Sequence, residues 1–127
     1  MDNRILSVFL VDDEKIIRDG MKKLFTWETN GFRVIGEAGD GRSALAQILE
    51  KRPDIVVTDL KMPFMDGIAL ANAVVQHCPV TEVVVVTGFD EFSYAREALR
   101  AGVFDFLLKP VSPDELKKAM LRVKEKI

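Results

Sequence analysis

Ile55-Val56-Val57-Thr58-Asp59-Leu60-Lys61-Met62-Pro63 is a short apolar run that stops on a carboxylate and is closed by a proline. Ile55 to Val57 are β-branched and follow a Pro53-Asp54 turn signal, so they read as a buried strand. Asp59 then falls at the strand's carboxyl end, the edge at which open α/β sheets place their ligand sites. A carboxylate in that place needs a partner or a task.

Moving outward, the chain alternates apolar strands with helical periodicity. Ile5 to Val11 is a nearly continuous apolar run, the mark of a strand buried on both faces, and it ends on Asp12-Asp13-Glu14. Ile16, Ile17, Met21, Leu24 and Phe25 then recur at helical spacing, with Arg18, Asp19, Lys22 and Lys23 on the other face. Asn30-Gly31 breaks the pattern before Phe32 to Ala38, a mixed run suited to an edge strand. Asp40 can cap a second helix carrying Ala44, Leu45, Ile48 and Leu49. Beyond the Met62-Pro63 and Asp66-Gly67 turns, Ile68, Leu70, Ala71, Val74 and Val75 predict a third helix that stops near Pro79. Val83 to Val86 is a fully apolar strand ending on Thr87-Gly88. Asp90 can cap a fourth helix with Ala95, Ala98 and Leu99 on its apolar face, ended by Gly102. Val103 to Leu108 is the fifth strand and runs into Lys109-Pro110. Ser112-Pro113-Asp114-Glu115 is a capping box with proline at the first helical position, and Leu116, Ala119, Met120, Val123 and Ile127 form the last buried stripe.

Strict alternation of five strands and five helices predicts a doubly wound α/β fold with a parallel sheet and helices on both faces. Right-handed crossovers leave few topologies. The flavodoxin-like order 2-1-3-4-5 fits best, because strand two is the polar edge candidate and strands one, three and four are the most apolar.

The 127 residues make one domain, residues 1–127, with no repeat or internal linker. Apolar content of 48 % and charged content of 30 % are ordinary for a globular protein. A net charge of −2 without a basic block argues against this chain holding nucleic acid by itself. A single cysteine, Cys78, makes no internal disulfide and reads as a buried or half-buried thiol near a helix end. No signal peptide or membrane-length run is seen, so a cytoplasmic location is expected. Lys124-Glu125-Lys126-Ile127 ends the chain inside the helical pattern, as in a piece of a longer protein, though a short natural chain could end so.

In this topology Asp12 and Asp13 follow strand one, Asp59 ends strand three, Thr87 ends strand four and Lys109 ends strand five. All five converge on one rim, at the crevice where strand order reverses. Any one of them alone reads as a helix cap or a solvated turn; four strands delivering polar groups to one rim is a far stronger signal. Three neighbouring carboxylates repel, and without compensation one is driven to protonate. A small hard dication resolves this, and magnesium takes oxygen ligands with waters and phosphate oxygens in its remaining positions. No histidine or cysteine stands near to favour zinc. A carboxylate beside magnesium, an ammonium and a hydroxyl is a good phosphoryl acceptor.

The motifs Val11-Asp12-Asp13-Glu14, Thr58-Asp59-Leu60-Lys61-Met62-Pro63, Met65-Asp66-Gly67, Val86-Thr87-Gly88 and Phe106-Leu107-Leu108-Lys109-Pro110 resemble, in order and spacing, the receiver domain of two-component response regulators. The resemblance spans essentially the whole chain. It implies a phosphoacceptor switch that assists only its own phosphorylation and dephosphorylation. Asp59 would accept phosphate from a sensor histidine kinase. Asp13 would bind magnesium directly and Asp12 mainly through water, with the Lys61 backbone carbonyl as a further ligand. Thr87 and Lys109 would bond phosphoryl oxygens, and the Lys109-Pro110 bond would be cis. A homodimer through helix four, strand five and helix five is a further implied partner. Thr87 to Ala95 resembles the subgroup often joined to an AraC-type DNA-binding domain, which would control transcription from a part absent here.

Phe106 falls where receivers keep an aromatic, often tyrosine, that turns inward on activation; it also reads as an ordinary strand phenylalanine covering the core. Phe89 and Lys61 flank the site, where they would tune water's access to an acyl phosphate or simply be solvated. Trp27 is expected to pack the end of helix one. Phe92 and Tyr94 read either as partner-facing or as core, and His77 lies away from the rim. Three rival readings remain. An aspartyl-nucleophile phosphohydrolase usually carries a second acid two residues after the first, where this chain has Lys61. A mononucleotide binder needs a Ser/Thr/Gly-rich loop after strand one, where this chain has three acids. A pseudo-receiver would lack part of the five-residue set.

Overall fold

The computed structural model describes residues 4–62, 65–88 and 92–127, apart from the side chains at 92, 94 and 95. Ten elements alternate: β1 (Leu6–Val11), α1 (Lys15–Leu24), β2 (Phe32–Ala38), α2 (Gly41–Lys51), β3 (Ile55–Asp59), α3 (Gly67–His77), β4 (Glu82–Thr87), α4 (Phe92–Arg100), β5 (Asp105–Leu108) and α5 (Pro113–Lys126). All pairings are parallel and the sheet order is β2-β1-β3-β4-β5, as the hydrophobic pattern predicted.

Period-two alternation divides each central strand between two cores. Leu6, Val8, Leu10, Ile55, Val57, Val84 and Val86 pack against α1 and α5. Phe9, Val11, Val56, Val83 and Val85 pack against α2, α3 and α4. Trp27 closes the end of α1: its ring meets Phe25 edge-on at 4.9 Å, and its indole N–H donates to the Met21 carbonyl at 3.3 Å. Cys78 is buried at the end of α3.

Helix ends follow the sequence signals. Asp40 accepts from the Ser43 N–H and Ser112 from the Glu115 N–H. Asp66, a turn residue in the sequence pattern, caps α3 by accepting from the Ala69 N–H. Gly102 adopts φ +103°, and the paired bonds Gly102 N–H to Leu99 O and Val103 N–H to Ala98 O form a Schellman closure of α4. That closure explains one difference from expectation. Val103 serves the helix end, so β5 begins at Asp105 rather than Val103.

Three other expectations are corrected. Ile16 is 76 % exposed, because the buried stripe of α1 runs through Met21 with Ile17 and Leu24 half-buried, and Ile16 lies a position outside it. Leu99 is exposed because its neighbour Ala98 holds the buried position of α4, and Ile127 lies past the last turn of α5. Pro63, Phe89, the Asp90 cap and the side chains of Phe92, Tyr94 and Ala95, on which parts of the reading rested, lie outside the described residues.

Gly20 lies inside α1, and a β-carbon built on it would meet nothing within 4 Å. A mid-helix glycine costs backbone entropy without any packing return here. Gly20→Ala is therefore expected to stabilise the fold by about 0.5–1 kcal/mol. Urea denaturation checks this; an unchanged or lower midpoint contradicts it.

Candidate functional site

Strand register builds the rim. Val11 pairs with Thr58, so the next residues, Asp12 and Asp59, emerge side by side. Asp59 pairs with Val86 and Thr87 with Leu108, which brings the ends of β4 and β5 to the same level. At the opposite edge Asp54 fixes the register: its carboxylate accepts from the N–H and hydroxyl of Ser7, and its own N–H donates to the Ser7 hydroxyl.

Asp59 is buried at the end of β3. One carboxylate oxygen accepts from the Leu60 N–H at 2.7 Å and the other from the Lys109 ammonium at 3.1 Å. The same ammonium donates to Asp12 at 3.3 Å, a contact between residues 97 apart in sequence. The side chains of Asp12 and Asp59 are 5 % and 9 % exposed and that of Lys109 is 29 % exposed. Thr87 is fully buried; its hydroxyl donates to Gly88 O at 3.4 Å, and its carbonyl accepts from the Lys109 N–H at 2.8 Å. The Lys109–Pro110 bond is cis. Phe106 is half-buried against the core beneath α2, α3 and α4, and Lys61 is exposed.

Burial pushes the Asp59 carboxyl above its ordinary range; Lys109 opposes this, by charge and by hydrogen bond, without cancelling it. Burial pulls Lys109 down, but Asp59 and Asp12 outweigh it and the ammonium is held above its ordinary value. One ammonium thus serves two buried acids, while Asp13 and Glu14 lie exposed beside them. Ligand oxygens of Asp12, Asp13 and Glu14 come within 4.8 Å of one another. This all-oxygen set, part buried and part open to water, fits a hard dication such as magnesium. Glu14 was not among the expected ligands. Its place directly after the acid pair was the available signal.

Two further residues hold the site through contacts that the sequence pattern does not show. Gly67 donates its N–H to Leu60 O at 2.6 Å and lies so close that a β-carbon would fall 2.2 Å from Asp59 O. Arg18, assigned to the solvent face of α1, instead donates to the Asp12 carbonyl at 2.6 Å and to Glu37 of β2 at 2.8 Å. Lys22 also pairs with Glu37, and these cations hold the Glu37 carboxyl below its usual range, Lys22 first and Arg18 second. A charge next to the buried stripe, facing an acid in a mixed edge strand, was the sequence signal for Arg18.

The order 2-1-3-4-5 with helices on both faces defines the flavodoxin-like class of α/β folds. The response regulator receiver domain matches residues 8–121, and the chain belongs to that family. The solved REC domain of AraT, a response regulator from Geobacillus stearothermophilus, is 43 % identical, with a TM-score of 0.91 over 96 % of this chain and 95 % of that one. The uncharacterized transcriptional regulatory protein YesN of Bacillus subtilis (strain 168) is 44 % identical over 87 % of this chain. The transcriptional regulatory protein HptR of Staphylococcus aureus (strain NCTC 8325 / PS 47) is 34 % identical over 94 %. The chain spans 30 % of the length of YesN and 46 % of that of HptR. Among the described residues no helix is long and apolar enough to cross a membrane.

Proposed function

We propose that Asp59 is the phosphoacceptor of this receiver and that the domain is the N-terminal switch of a longer cytoplasmic response regulator. The observation that carries the assignment is the Asp59 carboxylate at the end of β3, sharing the Lys109 ammonium with Asp12. The donor is a phosphohistidine of a sensor kinase. An Asp59 oxygen forms the new P–O bond as the P–N bond to the donor breaks. Asp13, Asp12, Asp59 and the Lys61 carbonyl would hold magnesium, whose charge when bound offsets that of the phosphoryl oxygens. Glu14 lies near enough to share that task through water. Lys109 follows the negative charge from carboxylate to phosphoryl oxygen, and the Thr87 hydroxyl bonds another. Positioning and charge are all that is needed, so the domain acts only on its own phosphoryl group.

The readout is a population shift. Moving from 1:99 to 99:1 needs about 5.5 kcal/mol of differential stabilisation, and a charge-assisted hydrogen bond contributes roughly 1.5–3 kcal/mol. Lys109 already has two carboxylate partners, so only the difference between those bonds and its phosphoryl bond counts. Phosphorylation alone therefore gives a partial shift, completed by a partner, such as a second copy, on the face of α4, β5 and α5. Phe106 on β5 would follow it by packing. The names of YesN and HptR support transcriptional control as the output, and the resemblance of the stretch from Thr87 to Ala95 supports an AraC-type DNA-binding part.

Incubation with acetyl phosphate and magnesium, read by intact mass, tests the assignment. One hydroxylamine-labile phosphate is expected, absent from Asp59→Asn and lost on chelation. The same adduct on Asp59→Asn would overturn it. Thr87→Ala should still accept phosphate but lose most of the partner affinity that phosphorylation adds; equal affinity of both phosphorylated forms would count against the switch role of Thr87.

A further inference from the structure

We propose that Arg18 is a positioning residue for the acidic turn, holding Asp13 in its cation-ready placement before any cation arrives. The proposal rests on the magnesium site proposed above. The Asp12 carbonyl that accepts from Arg18 Nη1 belongs to the peptide joining Asp12 to Asp13, so fixing it fixes the path by which Asp13 leaves the strand. Glu37, on the neighbouring strand β2, holds Arg18 Nε from the other side. The Arg18 side chain is only 14 % exposed, and it lines a small cavity together with Asp12 and Asp59.

The turn needs such a restraint. Three acidic side chains within 4.8 Å of one another repel, and those of Asp13 and Glu14 are exposed, although the Glu14 carbonyl is held by the Ile17 and Arg18 N–H groups at the start of α1. Asp12 restrains the turn from inside by accepting from the Glu14 N–H at 2.9 Å. Arg18 restrains it from outside. A planar guanidinium can meet a carbonyl and a carboxylate together in fixed geometry, whereas a lysine ammonium at the same place is a point charge on a flexible stem. Charge alone cannot be the purpose, since a cation beside a cation site weakens binding. The pairing with Glu37 offsets that charge and leaves the geometry.

The test is magnesium binding to the unphosphorylated chain, followed by calorimetry without a phosphodonor. Arg18→Lys keeps the charge and removes the fork, and its magnesium dissociation constant is expected to rise about tenfold, the scale on which groups that orient metal ligands act. Glu37→Gln, which leaves Arg18 in place with a weakened anchor, should give a smaller rise in the same direction. Urea midpoints without magnesium report folding separately. A lower midpoint with an unchanged dissociation constant in both variants means that Arg18 only supports the fold, and overturns the proposal. If Arg18→Lys does not fold, Arg18→Gln decides: it removes a positive charge beside the site, so a rise in the dissociation constant reports lost positioning and no rise overturns the proposal. Parent protein that binds no magnesium, or an Asp13→Asn variant that binds as tightly as the parent, overturns the cation site itself rather than the role of Arg18.

Discussion

Lys109→Met is expected to cost the fold about 2–3 kcal/mol at neutral pH, with most of the loss recovered on lowering the pH or adding Asp59→Asn. Removing one partner of a buried ion pair costs roughly 3–5 kcal/mol, because the other charge is left without compensation. The Lys109 side chain is 29 % exposed, so solvent screening lowers the figure. Methionine keeps the length of the stem and removes the ammonium from both Asp12 and Asp59. Asp59 is already pushed above its ordinary value of 3.8 by burial, with Lys109 the largest opposing influence; without Lys109 it rises further. A carboxyl whose folded value exceeds its unfolded one binds its proton more readily in the folded protein. The stability it contributes is fully present below about 3.8 and is lost as pH climbs through the folded value. The Lys109→Met deficit should therefore be large at pH 7 and small near pH 4. In the parent, the raised Lys109 value works at the other end of the scale: its stabilisation is present below 10.5 and is lost as pH rises through the folded value. Urea denaturation of the parent, both single variants and the double variant at the two pH values gives the coupling. Equal losses on both backgrounds and at both pH values would sink the account.

Gly67→Ala is expected to destabilise by about 2–3 kcal/mol and to displace Asp59. Two effects oppose each other. Alanine favours a helix interior over glycine by about 1 kcal/mol, and Gly67, the first residue of α3, recovers only part of that. Against that, the new methyl group would lie 2.2 Å from Asp59 O and 2.7 Å from the Leu60 Cα. Both are main-chain atoms and cannot rotate away, so α3 must shift from β3, and overpacking of this kind costs roughly 1–3 kcal/mol or more. The shift also breaks the 2.6 Å bond from Gly67 N–H to Leu60 O. Phosphorylation by acetyl phosphate should fall with stability. If Gly67→Ala melts with the parent and accepts phosphate at the parent's rate, the close approach is not a constraint. The contrast with Gly20→Ala is instructive: the same substitution has opposite expected signs in the middle of α1 with open space around it and at the first residue of α3 against the β3 backbone.

The fold was legible because each strand shows its burial in one dimension. Val83 to Val86 and Ile5 to Val11 are nearly pure apolar runs, and Phe32 to Ala38 mixes charge and glycine, which assigns centre and edge from pattern alone. The convergence of Asp12, Asp59, Thr87 and Lys109 follows from that order, since every parallel strand ends at the same rim. Other features depend on lateral distance, which periodicity does not encode. Arg18 has the spacing of a solvent-facing residue, and its role emerges only when the flank of α1 is set against Glu37 on β2. Gly67 reads as a turn residue, and its closeness to Asp59 needs the height of α3 over β3. Ile16 was expected in the core because helical spacing gives a stripe without its exact width. Val103 reads as strand because it opens an apolar run, whereas its N–H closes the preceding helix.

The contact between Lys109 and Asp12 joins the last strand to the first across 97 residues of sequence. Closing so long a loop brings no return until the strands between are in place, so this contact is expected among the last events of folding. Interactions absent from the transition state govern the rate of unfolding and leave the rate of folding nearly alone. The ammonium that balances the resting site is then also a latch on the lifetime of the folded domain. Lys109→Met should speed unfolding while refolding proceeds at the parent's pace, a pair of rates that stopped-flow urea jumps measure.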